Sequence, residues 1–243
     1  MRPYRESMTR LVIIIPTWNE ALVVEPNLKR LQTACSLLSE YQTRIVVADN
    51  GSTDETVKLV QQISGIELIQ LSERGKGKAI RTAWQAHLKD ADILAFIDAD
   101  LAADIHALPS LVSPIRGNQA DIVCGSRFMA DSRVERRWFR SAASYVYRVL
   151  QQLILRLSVR DAQCGFKAIS ARAAQELLPL CQEDRWMFDT ELVALADTHG
   201  FRVQEIPVDW IETRDARRRS AIHVFRDGWG FVKGLIRIRH RLR

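Results

Sequence analysis

Asp98-Ala99-Asp100 closes the apolar run Ile93-Leu94-Ala95-Phe96-Ile97, and this pair of acids points to chemistry more directly than any other in the chain. The run predicts a strand, and alternate residues of a strand share a face, so both carboxylates can point the same way. Two carboxylates side by side repel unless a cation lies between them or one takes a proton. Hard oxygen ligands on an open edge suit Mg²⁺ or Mn²⁺, which usually reach protein through one or two carboxylates plus the phosphates of a substrate. The plainer reading of the same residues is a strand ending in a solvated acidic turn.

Four further groups carry polar chemistry. Asp49-Asn50-Gly51-Ser52-Thr53-Asp54 predicts a tight turn feeding a helix capped by Ser52 or Asp54, and Asp49 could also accept hydrogen bonds from a base or a ribose. Arg74-Gly75-Lys76-Gly77-Lys78 precedes a helix, where backbone N–H groups and cations favour an anion; its spacing is neither GxxxxGK[ST] nor GxGxxG, which speaks against ATP or NAD. Gly125-Ser126-Arg127 could bring a guanidinium to a diphosphate. Arg140 and Ser144, four apart on a helix, could share phosphate oxygens, while Arg136 reads as a solvated side chain and Arg214 with Arg217-Arg218-Arg219 as a basic loop after Trp210.

The elements that must position these residues alternate. Strands are expected at Leu11–Ile15, Ile45–Ala48, Ile66–Gln70 and Ile93–Ile97, with helices over Leu22–Leu38, Asp54–Ile63 and Lys78–Leu88. Such runs with helical crossovers predict an α/β fold, a mostly parallel sheet with helices on both faces. Ligands of such sheets bind beyond the carboxyl ends of the strands, where Pro16-Thr17-Trp18-Asn19-Glu20, Asp49–Ser52 and Asp98–Asp100 all fall. Further on, Asp121–Cys124 and Val203–Trp210 read as strands, and Ser170–Leu178 and Asp189–Thr198 as helices. A long helix over Arg137–Leu157 carries a stripe of Ala142, Tyr145, Val146, Val149, Leu150, Leu153, Ile154 and Leu157, expected to be core or a subunit contact.

Composition narrows the classes. With 47% hydrophobic and 26% charged residues the 243-residue chain is an ordinary globular protein. The excess of +6 lies wholly in residues 202–243, which hold 11 Lys/Arg against 5 Asp/Glu. Such an end suits phosphates, anionic lipid or nucleic acid. Ile222, Phe225, Trp229, Val232 and Ile236 fall on one helical face there, which reads as a membrane-surface helix or one docked on the domain, weakened by Gly228, Gly230 and Gly234. Residues 1–9 read as a loose leader, 10–220 as the main domain and 221–243 as the basic segment. Cys35, Cys124, Cys164 and Cys181 show no CxxC pair and read as free thiols of a cytoplasmic protein. No apolar run approaches the ~18–20 residues of a membrane span, so any membrane contact is expected to be peripheral, on the cytoplasmic face.

Taken together, Pro16–Glu20, Asp49–Ser52, Asp98–Asp100 and Gly125–Arg127 resemble the family 2 inverting glycosyltransferases, and within them the polyprenyl-phosphate sugar transferases. Arg74–Gly77, Arg160-Asp161-Ala162-Gln163-Cys164-Gly165-Phe166-Lys167, Arg185-Trp186-Met187-Phe188-Asp189-Thr190-Glu191 and Pro207-Val208-Asp209-Trp210 make the resemblance closest to the dolichyl-phosphate β-glucosyltransferase branch. It covers about residues 10–220. It implies the GT-A nucleotide-diphospho-sugar transferase fold, with Pro16, Trp18, Glu20, Asp49 and Lys76 on the donor nucleotide, which Asp98 also meets. Asp98 and Asp100 would hold Mg²⁺ or Mn²⁺ on the diphosphate, and Arg127 would steady phosphate. Arg140, Ser144, Arg214 and Arg217–Arg219 would receive the acceptor's phosphate. The family often has Asp where this chain has Asn50, which removes any charge role there. Asp161 or Asp189 would serve as a base only for a hydroxyl acceptor; for a phosphate acceptor Asp189 reads first as a cap or positioning residue.

The expected reaction moves glucose from UDP-glucose to a polyprenyl phosphate with inversion. GDP-mannose as donor and a soluble acceptor are the nearest alternatives. A non-enzymatic membrane- or RNA-binding module is the remote one; no RNA-binding motif is present, and nucleic acid is not an expected partner. Association into an oligomer is compatible with the sequence.

Overall fold

A computed structural model describes residues 8–135, 138–211 and 224–242. The first half follows the expected alternation: β1 (Thr9–Thr17), α1 (Val24–Ser36), β2 (Tyr41–Asp49), α2 (Thr56–Gln61), β3 (Ile66–Gln70), α3 (Lys76–His87) and β4 (Ile93–Ile97). The second half adds α4 (Leu108–Arg116), β5 (Ile122–Ser126), β6 (Val134–Glu135), α5 (Trp138–Leu155), β7 (Phe166–Ser170), α6 (Ala171–Leu177), α7 (Phe188–Thr198), β8 (Val203–Pro207), β9 (Trp210–Ile211) and α8 (Val224–Arg241). Seven strands form one sheet in the order β3-β2-β1-β4-β7-β5-β8, and β6 pairs with β9 apart from it. Every pairing in the main sheet is parallel except those of β7, which runs antiparallel between β4 and β5.

The unbroken apolar run of β1 has a direct cause. Leu11, Ile13 and Ile15 point to the face covered by Val24, Leu28 and Leu31 of α1. Val12 and Ile14 point to the opposite face, covered by Ile80 and Trp84 of α3 and by Phe188 of α7. A strand buried on both sides loses the apolar-polar alternation of a half-exposed one. Trp84 is wholly buried, lies 5.8 Å from the Phe96 ring and 6.1 Å from Phe188, and donates its indole N–H to the Ala95 carbonyl. That packing fixes α3 and α7 against β4, and these are the elements that flank the acidic pair.

Three features depart from expectation, and a fourth follows one of its two expected readings. Asp98 and Asp100 are not strand residues sharing a pleat face: β4 ends at Ile97, and the Leu101 N–H donates to the Asp98 carbonyl to close a turn, with Leu101 at a positive φ of 47°. Neither β7 nor α4 was anticipated. The stripe on α5 is not uniformly core: Tyr145, Val146, Val149 and Leu153 are exposed, Leu153 by 72%, while Tyr147, Leu150 and Ile154 pack inward beside buried Gln151 and Leu155. The tail helix forms despite its glycines and, as one of the two readings expected, docks on the domain, with Leu235 and Ile238 fully buried. Among the described residues, no helix is long and apolar enough to cross a membrane.

Candidate active site

The polar clusters converge beyond the carboxyl ends of β1, β2 and β4. The loop after β1 is clasped to the turn after β2: the Asn19 N–H donates to Ser52 Oγ at 2.9 Å, Asn19 Oδ1 accepts from the Thr53 N–H at 2.8 Å, and the Glu20 N–H donates to Thr56 Oγ1 at 2.8 Å. Asn19 sits at φ 55°, a conformation in which Asn is enriched. Asp49 is buried, and its carboxylate accepts from the Thr17 and Ser52 hydroxyls and from the N–H groups of Gly51 and Ser52. Neither Ser52 nor Asp54 caps α2 as expected: its N-cap position belongs to Glu55, which makes no side-chain cap bond, and Asp54 accepts from the Thr56 N–H at 3.0 Å. Pro16 is buried in β1, and the face of Trp18 carries the Arg74 guanidinium 3.5 Å from its centroid.

Asn50 has a role that Asp could not fill. Its Nδ2 donates to the Thr17 carbonyl at 3.1 Å while its Oδ1 accepts from the Gly75 N–H at 2.9 Å, so one amide ties β1 to the start of α3. A carboxylate would lack the donor.

Lys76, at the start of α3, stands at the centre of the site. Its Nζ lies 2.8 Å from Asp98 Oδ1 and 3.4 Å from Asp189 Oδ2, with only 10% of the side chain exposed. Asp189 Oδ1 also accepts from Lys167 Nζ at 3.0 Å, and Lys167 is fully buried. Burial opposes the ammonium of Lys76, but Asp189 and Asp98 outweigh it and hold its pKa above the ordinary lysine value. Burial, with Asp100 and Asp189 nearby, pushes the Asp98 carboxyl above its ordinary value against the pull of Lys76. Asp189 is therefore a counter-ion to two lysines; the N-cap position of α7 belongs to Met187, which makes no side-chain cap bond.

Gly165 shapes the same spot. A Cβ there would stand 1.8 Å from Asp98 Oδ2, and the Gly165 carbonyl accepts from the Asp98 N–H at 2.9 Å. Arg127 is committed within the protein: it grips Asp161 through Nε at 2.7 Å, Nη2 at 2.8 Å and its own N–H at 3.0 Å, with its guanidinium 4.8 Å from the Trp210 centroid. Burial would raise the Asp161 carboxyl, but the Arg127 charge and hydrogen bonds hold it below the usual value. A carboxylate so engaged is a poor proton acceptor.

The acceptor-side residues are less fully described. Ser144 lies on α5; the side chain of Arg140, together with Arg136, Arg214 and Arg217–Arg219, lies outside the described residues. Sequence reasoning gave Gly165 and Lys167 no role beyond their place in the run that carries the resemblance, and it missed the bridging role of Asn50. Lys167 left one signal, a lone charge in the run Phe166-Lys167-Ala168-Ile169.

The donor set of Asp98 and Asp100 fits a hard divalent cation. Asp98 keeps 31% of its side chain exposed, and both acids stand on an open turn. Among the described residues no cluster of three or more His, Cys, Asp or Glu could hold a metal alone.

Comparison with known proteins decides the kinship. Residues 12–178 match the model of glycosyl transferase family 2. The chain belongs to that family. It is a glycosyltransferase, and its likeness to curated relatives runs nearly end to end. It is 30% identical to a dolichyl-phosphate beta-glucosyltransferase of Saccharomyces cerevisiae, over 94% of this chain and 74% of that protein. It is 29% identical to the one of Dictyostelium discoideum over 95% and 74%. With glycosyltransferase AglD of Haloferax volcanii the identity is 33% over 93% of this chain, which spans about a third, 36%, of that longer protein. In structure the family 2 chain resembles glucosyl-3-phosphoglycerate synthase of Mycobacterium tuberculosis bound to UDP, with TM-score 0.67, 21% identity, and 96% and 80% of the two chains covered. The same synthase, in a complex with Mn²⁺, UDP and glucosyl-3-phosphoglycerate, matches with TM-score 0.65. These neighbours establish the GT-A fold.

Proposed function

We propose that this glycosyltransferase moves glucose from UDP-glucose to a polyprenyl phosphate, with inversion, at a membrane surface. The observation that carries the reading is the alignment of 94% of the chain with the yeast dolichyl-phosphate beta-glucosyltransferase. A second observation supports the lipid acceptor. Tyr145, Val146, Val149 and Leu153 of α5 and Trp229 and Ile236 of α8 are exposed apolar residues on two helices that pack together. Lys233 stands 5.7 Å over the Trp229 ring and Arg148 5.8 Å over Tyr145, so cations flank this apolar surface. Apolar side chains beside cations suit an interface rich in anionic headgroups.

In the reaction an oxygen of the acceptor phosphate forms a bond to the anomeric carbon as the bond from that carbon to the UDP diphosphate breaks, and UDP leaves with the electron pair. The acceptor oxygen is already anionic at neutral pH and needs placement more than deprotonation. Asp98 and Asp100 would hold Mg²⁺ or Mn²⁺, which when bound neutralises charge growing on the leaving diphosphate. Lys76 presents a second cation to that charge, kept protonated by Asp98 and Asp189. Trp18 and Arg74 flank the nucleotide end, and Asp49 holds the turn beneath it. Arg127 and Asp161 brace the floor of the site.

Incubation of the purified protein with a short polyprenyl phosphate, Mg²⁺ or Mn²⁺, and labelled UDP- and GDP-sugars tests this reading. Metal-dependent label in the organic phase from UDP-glucose is expected. Transfer from GDP-mannose would replace the donor, and transfer to a water-soluble phosphorylated acceptor alone would replace the lipid.

A further inference from the structure

The start of α3, which carries Lys76, leans on the segment Cys181–Phe188 that leads into α7. The Lys78 N–H donates to the Asp184 carbonyl at 2.9 Å, and Arg81 donates to the Cys181 carbonyl at 2.6 Å and to the Asp184 carboxylate. Two glycines permit the approach. A Cβ on Gly75 would lie 2.5 Å from the Asp184 carbonyl oxygen, and one on Gly77 would lie 2.4 Å from Phe188 Cβ and 2.7 Å from the Glu183 carbonyl oxygen.

The other side of this segment is held by α8. Arg237 grips Glu183 with both arms of its fork, at 2.7 and 2.8 Å. Arg241 adds contacts to Glu183 at 2.6 Å, to Gln182 Oε1 at 2.9 Å and to Glu191 at 2.9 Å. Glu191 in turn accepts from the N–H groups of Gln182 and Glu183, at 2.9 and 2.7 Å. Burial would raise the Glu183 carboxyl, yet the two arginines hold it below its ordinary value. Next to this cluster Gly234 brings α8 so near Met187 that a Cβ would lie 2.9 Å from Met187 Cγ.

We infer that Glu183 is a positioning residue through which the docking of α8 fixes Lys76 against Asp98, so that the C-terminal helix governs the cation of the active site. The path is physically continuous: Arg237 and Arg241 hold Glu183, the 181–188 segment carries the start of α3, and that start carries Lys76. The ion cluster is not a solvated surface pair. Glu183 and Glu191 have side chains only 10% and 4% exposed, so loss of one partner leaves charge in a poorly solvated place. The catalytic consequence rests on the proposed function; the mechanical link rests on the contacts alone.

Hydrogen–deuterium exchange on the full chain tests the link without substrate. Glu183→Gln removes the charge and keeps the shape, while Gly234→Val crowds the Met187 side chain beneath α8 with every charge in place. Both variants are expected to speed exchange in residues 73–80 about tenfold or more, with β2 unchanged. Glu183→Asp, which restores the charge, should return that segment most of the way to the native rate. Faster exchange in α8 alone, with residues 73–80 at the native rate, would show that the cluster only anchors the helix and overturns the inference; unchanged exchange in both segments would overturn it too. In the transfer assay Glu183→Gln should raise KM for the sugar nucleotide and leave KM for the lipid acceptor near native. A native enzyme without lipid-linked product would count against the proposed function and leave the exchange result standing.

Discussion

At the residue scale the site is a set of buried charges that neutralise one another, and this separates two roles for Asp189. As a base it would matter to rate alone. As the shared counter-ion of Lys76 and Lys167 it matters to folding, because removing one partner of a buried ionic group strands the others. Asp189→Asn is therefore expected to lower the unfolding free energy by about 3–5 kcal/mol, measured by denaturant titration. Native stability with lost activity would point to a base instead. Asp100→Asn tests the opposite case: Asp100 is half-buried and its Oδ1 accepts from the Ala102 N–H, a bond an amide oxygen can keep, so the variant should fold normally and lose metal-dependent turnover. Gly165→Ala reaches Asp98 by crowding. A Cβ 1.8 Å from its carboxylate must move it, and a displacement of about 1 Å can cost roughly 100-fold in rate. Steady-state kinetics beside circular dichroism would separate that loss from unfolding. The acids and the polar turns were visible in the sequence because several polar clusters each follow an apolar run and so fall together beyond one edge of the sheet. The Lys76–Asp98 contact was not visible, since it joins the start of α3 to the turn after β4, and no local pattern records it.

At the element scale, legibility followed how cleanly each segment repeats. Strands β1 and β4 were readable because both sheet faces are covered there and they become unbroken apolar runs, while the edge strand β3 showed only in its isoleucines and leucine. Helix α4 was hidden by Pro109 and Pro114, which read as breakers although one falls in the first turn and the other near the end. Strand β7 was hidden by Lys167, a charge at the centre of a sheet. Helix α5 misled in another way, since its apolar period was real but its outer half faces solvent. That exposed half supports a prediction. Leu153→Glu combined with Trp229→Ala removes apolar surface from both helices, and each fully buried side chain of this size contributes about 1.5–3 kcal/mol. Co-sedimentation with vesicles containing anionic lipid is expected to fall at least about tenfold, while UDP binding stays near native. Native vesicle binding by the double variant would place membrane contact elsewhere.

For the whole molecule, the question is what charged pairs add to each half of the sheet, and they answer unequally. Arg10 and Asp92 join β1 to the start of β4 at 2.8 Å, but both side chains are about 45% exposed, where such pairs contribute about 0–1 kcal/mol. Asp121 is different. Its side chain is 6% exposed and accepts from the Arg202 N–H and guanidinium and from Arg172, while its carbonyl accepts from the Ser170 N–H. One residue thus fastens β5 to β8, to the end of β7 and to α6. The Arg202 hydrogen bonds, reinforced by Arg172, hold its carboxyl at about 2, below the ordinary 3.8. A carboxylate with a lowered folded-state pKa contributes stability that is complete above its unfolded value and is lost as pH falls toward the folded one. Thermal stability should therefore decline between about pH 4 and pH 2 in part through this residue. Asp121→Asn is expected to lower Tm at pH 7 and to flatten that acid limb, whereas Asp92→Asn should change both far less. Equal effects of the two variants would mean that exposure does not decide how much such a carboxylate contributes.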